Sequence, residues 1–250
     1  MSLRFQHAIV VGASSGIGAE IARQLAVSGT AVAILGRREG ELERVAAAIR
    51  AAGGGRVLAA AHDVTSLETV APLFERLVGE LGGLDLLVYA AGQGYVPEES
   101  VWDFERDREL MAVNVVGAMA WTHLAAARFE AQRGGTILGL SSIAGERGRR
   151  SMPAYTTSKA ALTTWLEALR NRLSRYGVNV VTIKPGYVDT ALTKDLKFAP
   201  MMIPAERAAA LALAVARRGG SPSAFVPARW WWVGMALRHL PSVVFRRLNF

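Results

Sequence analysis

The chain has 250 residues, 51% apolar and 20% charged, which excludes a disordered polymer and allows one domain to bury a core unaided. It has no cysteine, so disulfides, thiolate nucleophiles and cysteine-ligated metals are excluded together. The net charge of +8 is localised: six arginines and no acidic residue fall between Arg217 and Phe250, leaving 23 basic against 21 acidic residues over 1–216. A nucleic-acid enzyme would instead spread a basic stripe over its folded face, so no nucleic-acid partner is expected.

The N-terminal residues run straight into a strand at Ala8–Val11. No run reaches the roughly 18 apolar residues of a membrane span, so the chain reads as soluble and cytoplasmic. A glycine-rich turn follows, then helical spacing from Ile17 to Val27 closed by Ser28-Gly29. Strands are predicted at Ala31–Leu35, Val57–Ala61, Leu84–Ala90, Thr136–Leu140 and Val178–Ile183, and helices over 39–52, 67–81, 103–132 and 153–175. Strands apolar on both faces, alternating with helices, predict a doubly wound α/β fold: a Rossmann-type parallel sheet of about seven strands with helices on both sides. No repeat or linker breaks the chain. Residues 1–227 are expected to form a dinucleotide-binding domain with built-in substrate loops, and 228–250 a basic, aromatic extension of it.

Gly12-Ala13-Ser14-Ser15-Gly16-Ile17-Gly18 joins the first strand to the first helix. Glycines there let backbone N–H groups approach a pyrophosphate at a helix N-terminus, where the dipole favours negative charge. A turn of this kind alone is also compatible with a purely structural role. The second strand ends Leu35-Gly36-Arg37-Arg38. An acidic residue there would bind the ribose hydroxyls of NAD; glycine followed by two guanidiniums favours the 2′-phosphate of NADP(H), with Arg37 the better placed of the two and Arg38 its neighbour.

Tyr155 and Lys159 lie four apart on a predicted helix and share a face. An adjacent ammonium stabilises a phenolate. Ser142 ends a strand at the carboxyl edge where open α/β sheets place ligands, and Asn114 interrupts an apolar helix, where an amide needs partners. A buried structural asparagine is the alternative. The four histidines are scattered without ligand spacing, so no metal is expected.

In this order the glycine turn, Asp63-Val64, Ala91-Gly92, Asn114, Ser142, Tyr155, Lys159, Pro185-Gly186 and Thr190 resemble the single-domain short-chain dehydrogenase/reductase family along almost the whole chain. The resemblance implies a tetrad. Tyr155 would be the acid/base, Ser142 would polarise the carbonyl, Lys159 would hold the nicotinamide ribose and lower the tyrosine pKa, and Asn114 would place a relay water. It also implies that Asp63 and Val64 touch adenine and that Ile183, Val188 and Thr190 lie at the nicotinamide end. Tyr89-Ala90 stands where the family usually has two asparagines, which puts local packing in doubt more than chemistry.

Ala144–Arg150, Lys194–Pro200 and Leu237–Leu248 are similar to the decaprenylphosphoryl-2-keto-pentose reductases of arabinan synthesis, which implies a keto-sugar on a polyprenyl phosphate, with Arg147, Arg149 and Arg150 gripping the phosphate or merely solvated. Trp230-Trp231-Trp232 beside the terminal arginines is the mixture that settles at a membrane interface, or else packs on a second subunit of the homodimer or homotetramer that the family implies. The expected reaction is NADPH-dependent reduction of a lipophilic or lipid-linked ketone. A 3-oxoacyl-thioester or hydroxysteroid-type oxidoreductase and a non-catalytic dinucleotide sensor are the alternatives.

Overall fold

The first strand, β1 (His7–Val11), is built from Ala8, Ile9, Val10 and Val11, each fully buried, so both of its faces must be covered. The computed structural model describes residues 3–96, 101–194, 199–220 and 223–247. Six further strands extend this one into a sheet: β2 (Ala31–Gly36), β3 (Val57–Ala61), β4 (Leu86–Tyr89), β5 (Gly135–Leu140), β6 (Val178–Pro185) and, after the two-residue pair β7 (Val188–Asp189) and β8 (Ile203–Pro204), β9 (Ser223–Val226). Among the described residues the order is β3-β2-β1-β4-β5-β6-β9, every neighbour parallel. The sense of winding reverses between β1 and β4, which opens a crevice beyond their carboxyl ends.

Helices α1 (Gly16–Val27), α2 (Glu39–Ala51) and α3 (Val70–Leu81) connect the first four strands. Between β4 and β5 lie α4 (Phe104–Met111), a π-helical stretch Ala112–Val116 and α5 (Gly117–Gln132); α6 (Pro153–Leu173) leads to β6. One core layer joins Ile9, Leu35, Phe74 and Trp121, and the other joins Val10, Ile21, Val181 and Leu213 of α7 (Ala205–Arg218).

Two expectations need correcting. The stretch Phe104–Gln132 does hold an 18-residue window of mean hydropathy 1.5, enough by composition to cross a membrane. Half of that window is buried, with Trp121 and Phe129 fully enclosed against the sheet, so this is a core helix. Ile183 is buried in β6 opposite Leu140, inside the sheet rather than at a ligand surface.

The C-terminal residues fold back onto the domain as α8 (Trp230–His239) and α9 (Ser242–Phe245). Trp230 and Leu237 bury themselves with Ile143 in a small apolar cluster flanked by Tyr187, Phe225 and Phe245. Of the expected signature segments, 195–198 and Leu248 lie outside the described residues.

Candidate active site

The first turn of α1 is shaped by its glycines. A Cβ on Gly12 would run into the backbone of Ala90 and Ala91, and one on Gly18 into the carbonyl of Gly12; Gly16 takes a left-handed φ of 59°. The first turn of α1 carries no acidic residue, unlike α2 and α4, so its positive end faces the crevice uncompensated. Nor does Ser15, at the N-cap, spend its side chain on the helix. These features fit a dinucleotide phosphate.

A cleft of about 360 Å³ runs from this turn to the end of β6. It is lined by Gly12, Ser14, Ser15, Gly16, Ile17, Gly18, Arg37, Arg38, Val64, Ala91, Gly92, Ser142, Tyr155, Lys159, Pro185, Gly186, Val188 and Thr190, all expected from the sequence. His62, Gln93, Ser141 and Leu192 also line it and were not anticipated. Their only sequence signal is adjacency to motif residues.

The two arginines after β2 differ. Arg38 donates from Nη2 to the hydroxyls of Ser14 (3.0 Å) and Ser15 (2.9 Å), arching over the glycine turn. Arg37 has Nη1 3.9 Å from Asp63 Oδ2. Asp63 itself sits beside the cleft, lining a shallow depression with His62 and Arg76. Burial works against its charge, but the amide and hydroxyl of Thr65, together with Arg37, hold its carboxyl below the usual range.

Ser142 is at the carboxyl end of β5 and N-caps a 3-10 turn, Ile143–Glu146, accepting from the Ala144 amide at 3.1 Å. It accepts there, so its own O–H can donate into the cleft that Tyr155 also lines. Burial pushes the Tyr155 phenol up; the Ser142 hydrogen bond and the charge of Arg149 work the other way. The lowering by Lys159 expected from the sequence is absent from this balance. Lys159 is turned to the Leu140 carbonyl (3.0 Å), with its ammonium 5.8 Å from the centre of the Tyr155 ring. Desolvation brings its own pKa down to about 8.

Asn114 is fully buried in the π-helical stretch, the kind of helix irregularity that recurs at functional sites. Its Oδ1 accepts from the Gln93 amide (2.7 Å), and Nδ2 donates to the Gln93 carbonyl and to Ser158 Oγ (2.9 Å each). It therefore ties the β4–α4 loop to α6 and stands behind the cleft. Gly92 keeps open the space between them: a Cβ there would lie 3.3 Å from Lys159 Nζ and 3.5 Å from Asn114 Oδ1.

Tyr89 resolves the question of packing raised by the missing asparagines. It is fully buried, and its hydroxyl donates to the Val113 carbonyl at 2.6 Å, satisfying a group in the π-helical stretch.

Arg147 is not a cleft residue. Its guanidinium donates to the carbonyls of Leu237 (2.9 Å) and Leu240 and to Ser242 Oγ (3.0 Å), and lies 4.4 Å from the ring centre of Phe245. A group so committed to the C-terminal helices does not grip a substrate phosphate. Arg149 is electrostatically coupled to Tyr155, whereas Arg150 is exposed. Among the described residues no cluster of three metal-ligating side chains occurs.

A doubly wound sheet with a glycine-lined cleft at its switch point defines a nucleotide-binding α/β protein. The chain belongs to the short chain dehydrogenase family, whose model matches residues 6–199. It is 37% identical over 196 residues to an uncharacterized oxidoreductase of Myxococcus xanthus, covering 78% of this chain and 77% of that one. An uncharacterized oxidoreductase of Mycobacterium tuberculosis is 34% identical over 241 residues, 96% of each chain. Among solved structures, a putative NAD(P) dependent gluconate 5-dehydrogenase from Beutenbergia cavernae with bound NADP superposes with a TM-score of 0.82 at 29% identity, covering 92% of this chain and 98% of that one. A 7α-hydroxysteroid dehydrogenase complexed with NADH and 7-oxo glycochenodeoxycholic acid gives 0.81 at 26%, covering 89% and 92%. The protein is thus an oxidoreductase of a family that binds a nicotinamide cofactor. These relatives carry the resemblance to the family and do not extend it to the polyprenyl-sugar branch.

Proposed function

We propose that the protein is an NADPH-dependent carbonyl reductase in which Tyr155 protonates a ketone oxygen held by Ser142. The observation that carries this reading is that Ser142, Tyr155 and, one helical turn along, buried Lys159 line one cleft that begins at the glycine turn. Nicotinamide bound in the cleft would supply a hydride to the carbonyl carbon. The residues do the rest. Burial keeps Tyr155 in its neutral form, the form that donates. As the proton leaves, the nearby charge of Arg149 stabilises the phenolate while Ser142 keeps its own proton on the substrate oxygen. Below its pKa of about 8, Lys159 is charged and within reach of a ribose. Asn114 fixes Gln93 and Ser158, and its Oδ1 with Lys159 Nζ borders the gap at Gly92, which would be the place for a relay water.

Gly36 in place of an acid, with Arg37 and Arg38 in the cleft wall, supports NADP(H) over NAD(H). Reduction follows from that preference, since cellular NADP is held largely reduced. Half-exposed Leu192 at the cleft supports a lipophilic substrate; a polyprenyl-phosphate keto-sugar, suggested by the sequence signatures alone, is the sharpest form of this reading. A steroid-like ketone is the second reading, favoured by the solved relative that carries a 7-oxo bile acid. The outer side of the long helix, where Val116 and Met119 are exposed, supports a homodimer or homotetramer. Exposed Trp231 and Trp232 support a peripheral contact with the inner face of an anionic membrane.

The deciding experiment assays NADPH oxidation against ketones graded in chain length and phosphate content. Tyr155→Phe should lower turnover by about 10²–10⁴-fold while NADPH still binds. NADPH binding without reduction of any ketone, unchanged by the substitution, would identify a dinucleotide sensor instead. Faster turnover of steroid ketones than of lipid-linked sugars would move the substrate to the second reading, and faster turnover of acyl thioesters would move it to a 3-oxoacyl substrate.

A further inference from the structure

We infer that the C-terminal helix pair is a positioning element for Ser142, acting through the consecutive residues Glu146 and Arg147. The inference rests on the catalytic role proposed for Ser142. The turn that follows this serine, Ile143–Glu146, is held from two sides. On the inner side it lies on α6: a Cβ at Gly145 would stand 2.8 Å from the Lys159 carbonyl carbon and 2.9 Å from the Ala160 nitrogen. Gly145 is therefore a point of close backbone approach, and the turn has no room to move inward.

On the outer side, α8 and α9 supply the grip. Glu146, almost wholly buried, accepts from Lys184 Nζ through Oε1 and from Arg238 Nη2 through Oε2, both at 2.6 Å. Lys184 is itself buried at the end of β6, one residue before the Pro185-Gly186 wall of the cleft. Arg147 caps the last carbonyls of α8 and reaches the first residue of α9. Trp230 closes the far side, its indole occupying the place where any Cβ on Gly186 would stand. One short helix thus touches the flank of the cleft beyond Ser142 and the flank at Gly186. A charged hub of Glu146, Lys184 and Arg238 joins the two flanks.

The test unlatches the helix pair without orphaning a buried charge. In Arg147→Met/Arg238→Met the buried Glu146–Lys184 pair remains, so a folded protein with NADPH affinity within about twofold of the parent is expected. With Ser142 released, kcat should fall roughly tenfold to a hundredfold. The alkaline limb of the kcat/KM profile, which reports the free enzyme, should move to higher pH, because the influence of Ser142 that favours the Tyr155 phenolate is weakened; Arg149 and Lys159, the other charges facing that phenol, are unaltered. Arg238→Lys, which keeps the ion pair to Glu146, should stay close to the parent in both readouts. A double variant with parental kcat and parental pH limb overturns the proposal. So does a parallel collapse of kcat, NADPH affinity and thermal midpoint, which a merely structural clamp would produce. If the parent itself reduces no ketone, the assignment of Ser142 fails first, and that failure is visible before any substitution is made.

Discussion

Arg37 and Arg38 adjoin in sequence but not in role. Arg38 is hydrogen-bonded to both serines of the glycine turn, so in the proposed cofactor site its loss would disturb the cradle for any dinucleotide. Arg37 is more than half exposed and has only a 3.9 Å approach to Asp63, a surface pair worth little in water, so it is free to turn to a 2′-phosphate. Arg37→Ala should therefore raise the KM for NADPH about tenfold or more, the loss of one charge-assisted contact, and leave that for NADH nearly unchanged. Arg38→Ala should raise both. Equal effects of Arg37→Ala on the two cofactors would remove the 2′-phosphate assignment. Lys159 makes a prediction of a different kind. Burial lowers its pKa from 10.5 to about 8, so between those values the folded protein binds fewer protons than the unfolded chain. Stability then rises with pH through that window, and the cost of the buried cation is fully present below about pH 8. Denaturant titrations of the parent and Lys159→Met over this range should differ in slope, the variant being flatter. Identical slopes would mean that the ammonium is solvated in solution.

At the scale of elements, the π-helical stretch shows what the sequence revealed and what it hid. Periodicity predicted one helix over 103–132, and the chain does form a continuous helical rod there. The interruption at 112–116 has no signature in hydrophobic spacing; it depends on Tyr89 and Gln93, which approach from another part of the chain. Tyr89→Phe leaves the Val113 carbonyl buried without its donor and should cost about 1–3 kcal/mol of stability in thermal or urea unfolding, with chemistry at Tyr155 intact. An unchanged stability would mean that the π turn satisfies itself. The strands up to β6 were legible within two residues at either end because they are apolar runs, in β1, β2, β4, β5 and β6 buried on both faces, while β3 at the sheet edge leaves Ala59 and Ala61 exposed. The edge strand β9 was not. It has four residues, only one of them fully buried, and its identity comes from pairing with β6. The glycine turn, Asn114, Ser142, Tyr155 and Lys159 stood out by residue type, and the fold gathers them at one cleft, with Asn114 behind it. Arg147 was misread, since sequence distance from Ser142 and Tyr155 does not reveal that α8 folds back to meet it.

For the whole molecule, the terminal charge divides once the chain is folded. Arg238 is drawn inward to Glu146, and Arg229 donates to the Met201 carbonyl, while Arg246 and Arg247 stay on the surface with exposed Val243 and Val244. The tryptophan triplet divides in the same way: Trp230 is core at 3% exposure, and Trp231 and Trp232, edge to face at 4.6 Å, stand 44% and 73% exposed. On the proposed membrane contact, these exposed rings and arginines, with no acidic residue from Arg217 onward, would meet an anionic lipid surface. The parent should therefore float with vesicles containing anionic lipid and not with neutral ones, and the binding should weaken as salt is raised. Trp231→Ser/Trp232→Ser should abolish flotation while leaving the thermal midpoint near the parent, because Trp230, Leu237 and the Glu146 hub are untouched. If the parent never floats and the double variant instead shifts from oligomer to monomer in light scattering, the same aromatic face meets a second subunit. In either event the helix that bears these rings also contacts the turn after Ser142, so whatever covers it lies one ion pair away from the chemistry.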